Sequence, residues 1–199
     1  MTQEEYEQMQ ELIWKLDDSE ICLCASAYFA FQLHMIGRLD DTAKFRKPDL
    51  QPYPKYPAYG TMGRLAWSKN VNEERDAPQQ LMFGAMDVHY DVLSPLGLWL
   101  EYRFEHHPEE NEFIFCVDGL EDPERIKDKI RRVLDHILGD DAFILRDIGL
   151  IGTHSIRKFA VTFARGQGCN KVKVAKIAYY CCMFFVFFLT SLFFILHSG

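Results

Sequence analysis

The sequence has no glycine-rich phosphate loop, no Cys-x-x-Cys pair and no His/Cys cluster at zinc-ligand spacing. Those absences remove the P-loop and zinc-ribbon readings, because each needs its residues at a fixed spacing, and no cofactor is expected. Six cysteines, Cys22, Cys24, Cys116, Cys169, Cys181 and Cys182, are scattered along the chain and read as free thiols in a reducing compartment. The N-terminus is acidic and polar, without the pattern of a signal peptide. Positive charge is also short: 22 basic residues face 29 acidic ones, for a formal net charge of -7. Proteins that act on nucleic acid are usually basic, since phosphate neutralisation supplies much of their binding energy. The balance therefore weighs against that class, although a local basic cleft inside an acidic shell keeps it open.

What is present is a chain of 199 residues, 48% hydrophobic and 26% charged. That is enough for one domain with a buried core and too little for two ordinary ones. Residues 4–35 carry helical signals, with a break around residues 17–19. The second half, from about Glu20 to Ile36, is apolar on every side and reads as a central buried helix that ends at Gly37, next to Arg38. Four prolines make residues 48–60 a loop. Residues 64–69 and 75–83 read as a loose β-hairpin, and a helix is expected over about 84–105, bent at Pro95. An acidic loop at 106–111 leads to an extended piece at 113–117. The clearest helix follows: Asp122 is the N-cap, Pro123 fits the first position, apolar residues recur at helical spacing from Ile126 to Leu138, and Gly139 closes it. A last helix spans about Thr153 to Arg165. The expected class is mainly α with a small β-hairpin or sheet.

Three places carry chemistry. In Thr153-His154-Ser155-Ile156-Arg157, helical geometry puts His154 and Arg157 on one face, roughly opposite Ile156, Phe159, Ala160 and Phe163. Alone, this pair is as well explained by a solvated polar face. Arg38 follows the buried helix, and alone it reads as a surface arginine paired with Asp40 or Asp41. Lys69 ends the first expected hairpin strand, and alone it reads as a turn lysine.

In their order along the chain, an arginine, a hairpin lysine and H-x-x-R, these residues resemble the catalytic domain of the tyrosine recombinases, the phage-integrase family. Arg38 stands eleven residues before Asp49-Leu50, much as the family's first arginine precedes an acidic-apolar pair. The stretches 36–47, 67–86 and 153–169 are most similar to eukaryotic recombinases of the Crypton mobile-element type, and the resemblance covers about residues 12–170. It implies the integrase catalytic-domain fold, a DNA partner, and Arg38, Lys69, His154 and Arg157 as active-site residues. Two arginine forks match the non-bridging oxygens of a phosphate, the lysine would protonate a leaving 5′ oxygen, and the histidine would exchange protons with the nucleophile. It also implies self-association in a complete homologue.

The pattern departs from the family after Arg157. No residue matches the third histidine or tryptophan, and the remaining tyrosines, Tyr179 and Tyr180, come too soon and lie inside an apolar run. The expectation is a catalytic-domain remnant over residues 1–170, without the separate DNA-clamping domain, that binds DNA weakly and does not cut it. The 20 residues 177–196 contain no charge and follow Lys171, Lys173 and Lys176. That length would span a bilayer, so the run reads either as a membrane anchor or as translated intron or shifted-frame sequence, of which the second better explains the lost motif. The alternative function is a tail-anchored helical domain that binds a protein partner. The expected location is nuclear or cytoplasmic, or the membrane if the tail is genuine. A generic phosphate-ester enzyme built on His154 is the weakest reading, for want of a nucleophile or metal cluster.

Overall fold

The computed structural model describes residues 1–65, 79–107, 112–117, 122–144 and 151–166. The chain opens with α1, Gln3–Ile13. Thr2 accepts the Glu5 amide while the Glu5 carboxylate takes the Thr2 amide at 2.6 Å, so two orphan donors at the helix start are satisfied reciprocally. Asp18 then accepts the Ile21 amide at 3.0 Å and starts α2, Ser19–Met35. The break expected near residues 17–19 is thus a cap. Helix α2 is buried along most of its length, packs against α1, α3 and two later helices, and forms the axis of the core. Its Tyr28, Phe29 and Phe31 are fully buried, with Phe31 and Tyr28 both meeting Phe115.

A short helix α3, Leu39–Ala43, and a 3-10 turn, Lys47–Asp49, lead to a three-stranded antiparallel sheet in the order β1-β2-β3: Leu50–Pro52, Gly60–Arg64 and Gln79–Phe83. The sheet differs from the expected hairpin. The proline-rich stretch 48–60 contributes an edge strand and the first residue of the central one, with Leu50 opposite Gly63 and Pro52 opposite Thr61. Pro52 is tolerated because β1 is an edge. Strand β2 begins at Gly60 and ends at Arg64, earlier than the 64–69 read from side-chain pattern. Its glycines obscured it: a Cβ on Gly60 would lie 2.7 Å from the Phe83 ring, and one on Gly63 would crowd Met35, Met82 and Phe45 at 3.1–3.2 Å. Close packing, not apolar alternation, defines this strand. The tip of the expected hairpin lies outside the described residues.

The helix expected over 84–105 begins only at α4, Leu93–His106. Asp91 accepts the amides of Ala85, Leu93 and Ser94 and holds the preceding segment as a loop. Pro95 therefore falls in the first turn, where its missing N–H costs no intrahelical bond, and does not bend the helix interior. Residues 113–117 bend at Ile114 and Phe115 and form no strand; 114–117 are buried, and Phe113 bridges to Arg46. Trp99 Nε1 donates to Ile114 O at 3.0 Å, and Arg103 donates to Phe113 O and Ile114 O at 2.7 and 2.8 Å. Helix α5, Pro123–Leu138, has the expected Asp122 cap and Gly139 stop. Helix α6, Thr153–Gly166, lies on α2 and α1. The fold is mainly helical with one small sheet, as its sequence implied.

Candidate functional site

The end of α2 sets the site. Ile36 adopts φ 47, ψ 32, the left-handed position that helix ends usually give to glycine. Its amide reaches Leu33 O and the Gly37 amide reaches Gln32 O, a closure in which the chain reverses sharply. A β-branched residue there stores strain on the order of 1–3 kcal/mol, which burial of the Ile36 side chain, 3% exposed, offsets. Gly37 has no room for a side chain, since a Cβ would stand 2.9 Å from Thr42 Oγ1. Gln32 is fully buried and its Nε2 lies 3.4 Å from both Gly37 O and Thr153 O. One amide therefore ties the turn before Arg38 to the first residue of α6.

Arg38 emerges from that turn, half-buried, as the N-cap of α3. Its backbone N–H donates to Asp41 Oδ2 at 3.2 Å. Helix α6 presents its apolar stripe, Ile156, Phe159 and Ala160, to the core. Phe159 stacks on Tyr6 at 5.2 Å and Phe163 on Tyr90 at 5.4 Å, which fixes the helix rotation. His154 is consequently exposed and Arg157 half-buried beside α3.

Arg38, Asp41 and Arg157 lie within one another's field. Burial lowers the Arg157 pKa, the Arg38 charge lowers it further, and Asp41 opposes both. Burial raises the Asp41 carboxyl, against the Arg38 amide and the charges of Arg38 and Arg157. Among the described residues neither guanidinium forms an ion pair with a carboxylate. Asp40 turns away and pairs with Lys127 on α5, whose Nζ also reaches Glu124 Oε1 at 2.6 Å. Two cations and one buried anion leave a net positive charge that matches the single negative charge of a phosphodiester, and arginine forks suit its oxygens.

Four residues were picked from the sequence. Arg38 and Arg157 lie near enough for the charge of Arg38 to act on Arg157, His154 lies one turn ahead of Arg157 on the same helix, and Lys69 lies outside the described residues. Strand β2 nevertheless leads to the site, since Leu65 Cδ1 stands 3.8 Å from the Cβ position of Gly37. Sequence reasoning missed Asp41 as part of the cluster and treated it as a neutralising neighbour. The signal that finds it is its place at the third position of α3, from which an acid reaches back to the N-cap amide.

No family model matches the chain, and neither does any curated protein. Solved structures do. The XerH site-specific recombinase bound to palindromic difH substrate, in a post-cleavage complex, superposes with TM-score 0.63 over 89% of this chain at 15% identity. The pre-cleavage complex of XerH with difH substrate gives TM-score 0.59 over 87% at 14% identity. The chain spans 45% and 44% of the length of those two XerH chains. The fold is that of a tyrosine-recombinase catalytic domain. On this recombinase fold, the Arg38 turn and the start of α6 meet at the end of the small sheet. Among the described residues no group of three or more His, Cys, Asp or Glu side chains has the arrangement to hold a metal ion, and no helix is long and apolar enough to cross a membrane. The apolar run 177–196 lies outside the described residues.

Proposed function

We propose that this chain is a DNA-binding domain of the tyrosine-recombinase type, of Crypton-like mobile-element origin, that grips a phosphodiester between Arg38 and Arg157. The observation that supports the reading is that Arg38 and Arg157 lie within each other's field beside buried Asp41, while among the described residues no carboxylate closes either guanidinium. Two like charges held together repel unless an anion joins them, and a bridging phosphate is the anion that two forks fit. In this reading Asp41 orients Arg38 through its amide, Lys69 serves the leaving 5′ oxygen and His154 the proton of an attacking group. The two arginines would stabilise charge on the phosphorus oxygens as it builds. No residue of the chain is nominated as nucleophile, so the domain as written binds without cutting.

The test is fluorescence anisotropy of the full-length chain with a labelled 30-bp duplex, beside Arg38→Ala and Arg157→Ala. Charge-assisted hydrogen bonds contribute about 1.5–3 kcal/mol each, so each variant should bind roughly tenfold or more weakly. A wild-type chain without measurable affinity at low salt sinks the reading. Incubation with a nicked duplex should give no covalent protein–DNA band on a denaturing gel, and such a band would refute the inactive part.

A further inference from the structure

Between Asp49 and Glu73 the chain has no acidic residue, although 29 of its 199 residues are Asp or Glu. The described part of this stretch is β1, β2 and their connecting loop, which carry Lys55 and Arg64. An acidic protein thus has an acid-free stretch, and it runs into the Arg38 turn through Leu65. The connecting loop lies at the other end of β2. Five residues of strand at about 3.3 Å each put it roughly 17 Å from that turn, on the order of five base steps along a duplex.

The loop reads Tyr53-Pro54-Lys55-Tyr56-Pro57-Ala58-Tyr59 and is built to hold its shape. The Tyr53 amide donates to Gly60 O at 2.9 Å, and the amides of Tyr56, Tyr59 and Gly60 close successive turns at 3.1 Å. Tyr53 stands edge-on to Phe83 at 5.8 Å, which anchors the loop to β3. On this frame Tyr56 and Tyr59 are 49% and 72% exposed, and Lys55 Nζ is 5.4 Å from the centre of the Tyr56 ring. The turns rule out an extended proline-helix ligand. Rings displayed on a rigid loop lose little entropy on contact, which is the design of a binding surface.

We propose that residues 53–59 form a second nucleic-acid contact, in which Tyr56 and Tyr59 stack on unpaired bases of a DNA strand and Lys55 takes a backbone phosphate. The proposal rests on the DNA-binding reading above. Aromatic faces accept any base, and a nearby lysine with no acid in the surrounding sequence favours a polyanion over an acidic peptide or a neutral apolar partner. The test uses the full-length chain with a fluorescein-labelled 20-nucleotide single strand and the 20-bp duplex of the same sequence. Tyr56→Ala/Tyr59→Ala should weaken single-strand binding about tenfold with little change on the duplex, and Tyr56→Phe/Tyr59→Phe should retain it. Lys55→Ala should lower the salt slope by about one. Unchanged single-strand affinity in the double alanine variant overturns the proposal. Binding that depends on Arg157 but not on the tyrosines fails the loop alone, whereas a wild-type chain that binds neither probe fails the DNA reading with it.

Discussion

At the start of the sheet Arg46 and Arg64 share Asp49, whereas the guanidiniums of Arg38, at the start of α3, and Arg157, on α6, act on Asp41 only through their charges. The residue types are the same, and both aspartates are buried, 4% and 7% exposed. In the first cluster Asp49 Oδ2 meets Arg46 Nε at 3.0 Å and Asp49 Oδ1 meets Arg64 at 3.0 Å, while Glu112 takes a further nitrogen of Arg46 at 3.2 Å. Every charge is answered, and the cluster staples the 3-10 turn to the end of β2. In the second, Asp41 spends an oxygen on a backbone amide, and both guanidiniums remain open among the described residues. Removing one partner from the first set leaves a buried charge uncompensated, whereas on the proposed reading the second set takes its anion from a ligand.

The largest effect that tests this contrast is on stability. Asp49→Ala leaves Arg46, whose side chain is 15% exposed, without its buried partner, and breaking such a pair costs about 3–5 kcal/mol. Urea denaturation should show that loss. A loss below about 1 kcal/mol, the range of exposed pairs, would mean that the first cluster is not a staple. Arg157→Ala should do the reverse. Removing one of two repelling cations should leave stability within about 1 kcal/mol of wild type, while DNA affinity falls roughly tenfold. An Arg157 variant that unfolds like the Asp49 variant would make the two clusters alike and remove the functional claim.

The same contrast explains what was legible. Arg38 and H-x-x-R were singled out by their order along the chain, which resembles the recombinase pattern, while the helices that carry them were legible from a buried and an amphipathic stretch. Helix α5 was legible from Asp122, Pro123 and Gly139, each acting on its own backbone. Asp41 and Asp49 were not separable, because each stands three residues after an arginine and only the rotamers decide which one meets its guanidinium. The start of β2 was hidden by Gly60 and Gly63, whose role is the space they leave for Phe83 and Met82. The start of α4 was hidden because Asp91 gathers three amides, two of them in the helix and one six residues back. Such long-range and rotameric facts leave no periodic trace.

A smaller effect separates the clusters by pH. The Asp41 carboxyl is raised by burial, which outweighs the Arg38 amide and the two guanidiniums that favour its charge. A raised acid contributes stability while protonated, below the ordinary carboxylate range near pH 4, and loses that contribution as pH rises through its folded pKa. Asn cannot ionise, so Asp41→Asn should compare more favourably with wild type at pH 7 than at pH 4 in urea denaturation. A variant that fares worse at pH 7 would mean that the Asp41 charge is net stabilising, as in a closed cluster.

The smallest effect asks whether the open cluster takes an anion without any DNA. A ligand that binds only the folded state stabilises it by RT ln(1 + [L]/Kd), which is about 0.4 kcal/mol when the ligand equals its Kd. For a chain of this size that is on the order of 1 °C in Tm. Inorganic phosphate at matched ionic strength should therefore raise the Tm of wild type slightly above its value in chloride. The increment should be smaller in Arg157→Ala than in Arg64→Ala, whose guanidinium is already answered by Asp49. Because phosphate also strengthens burial generally by exclusion from the surface, only the difference between those two variants is diagnostic. An increment equal in both would place the anion elsewhere and leave Arg38 and Arg157 as a strained pair without a ligand.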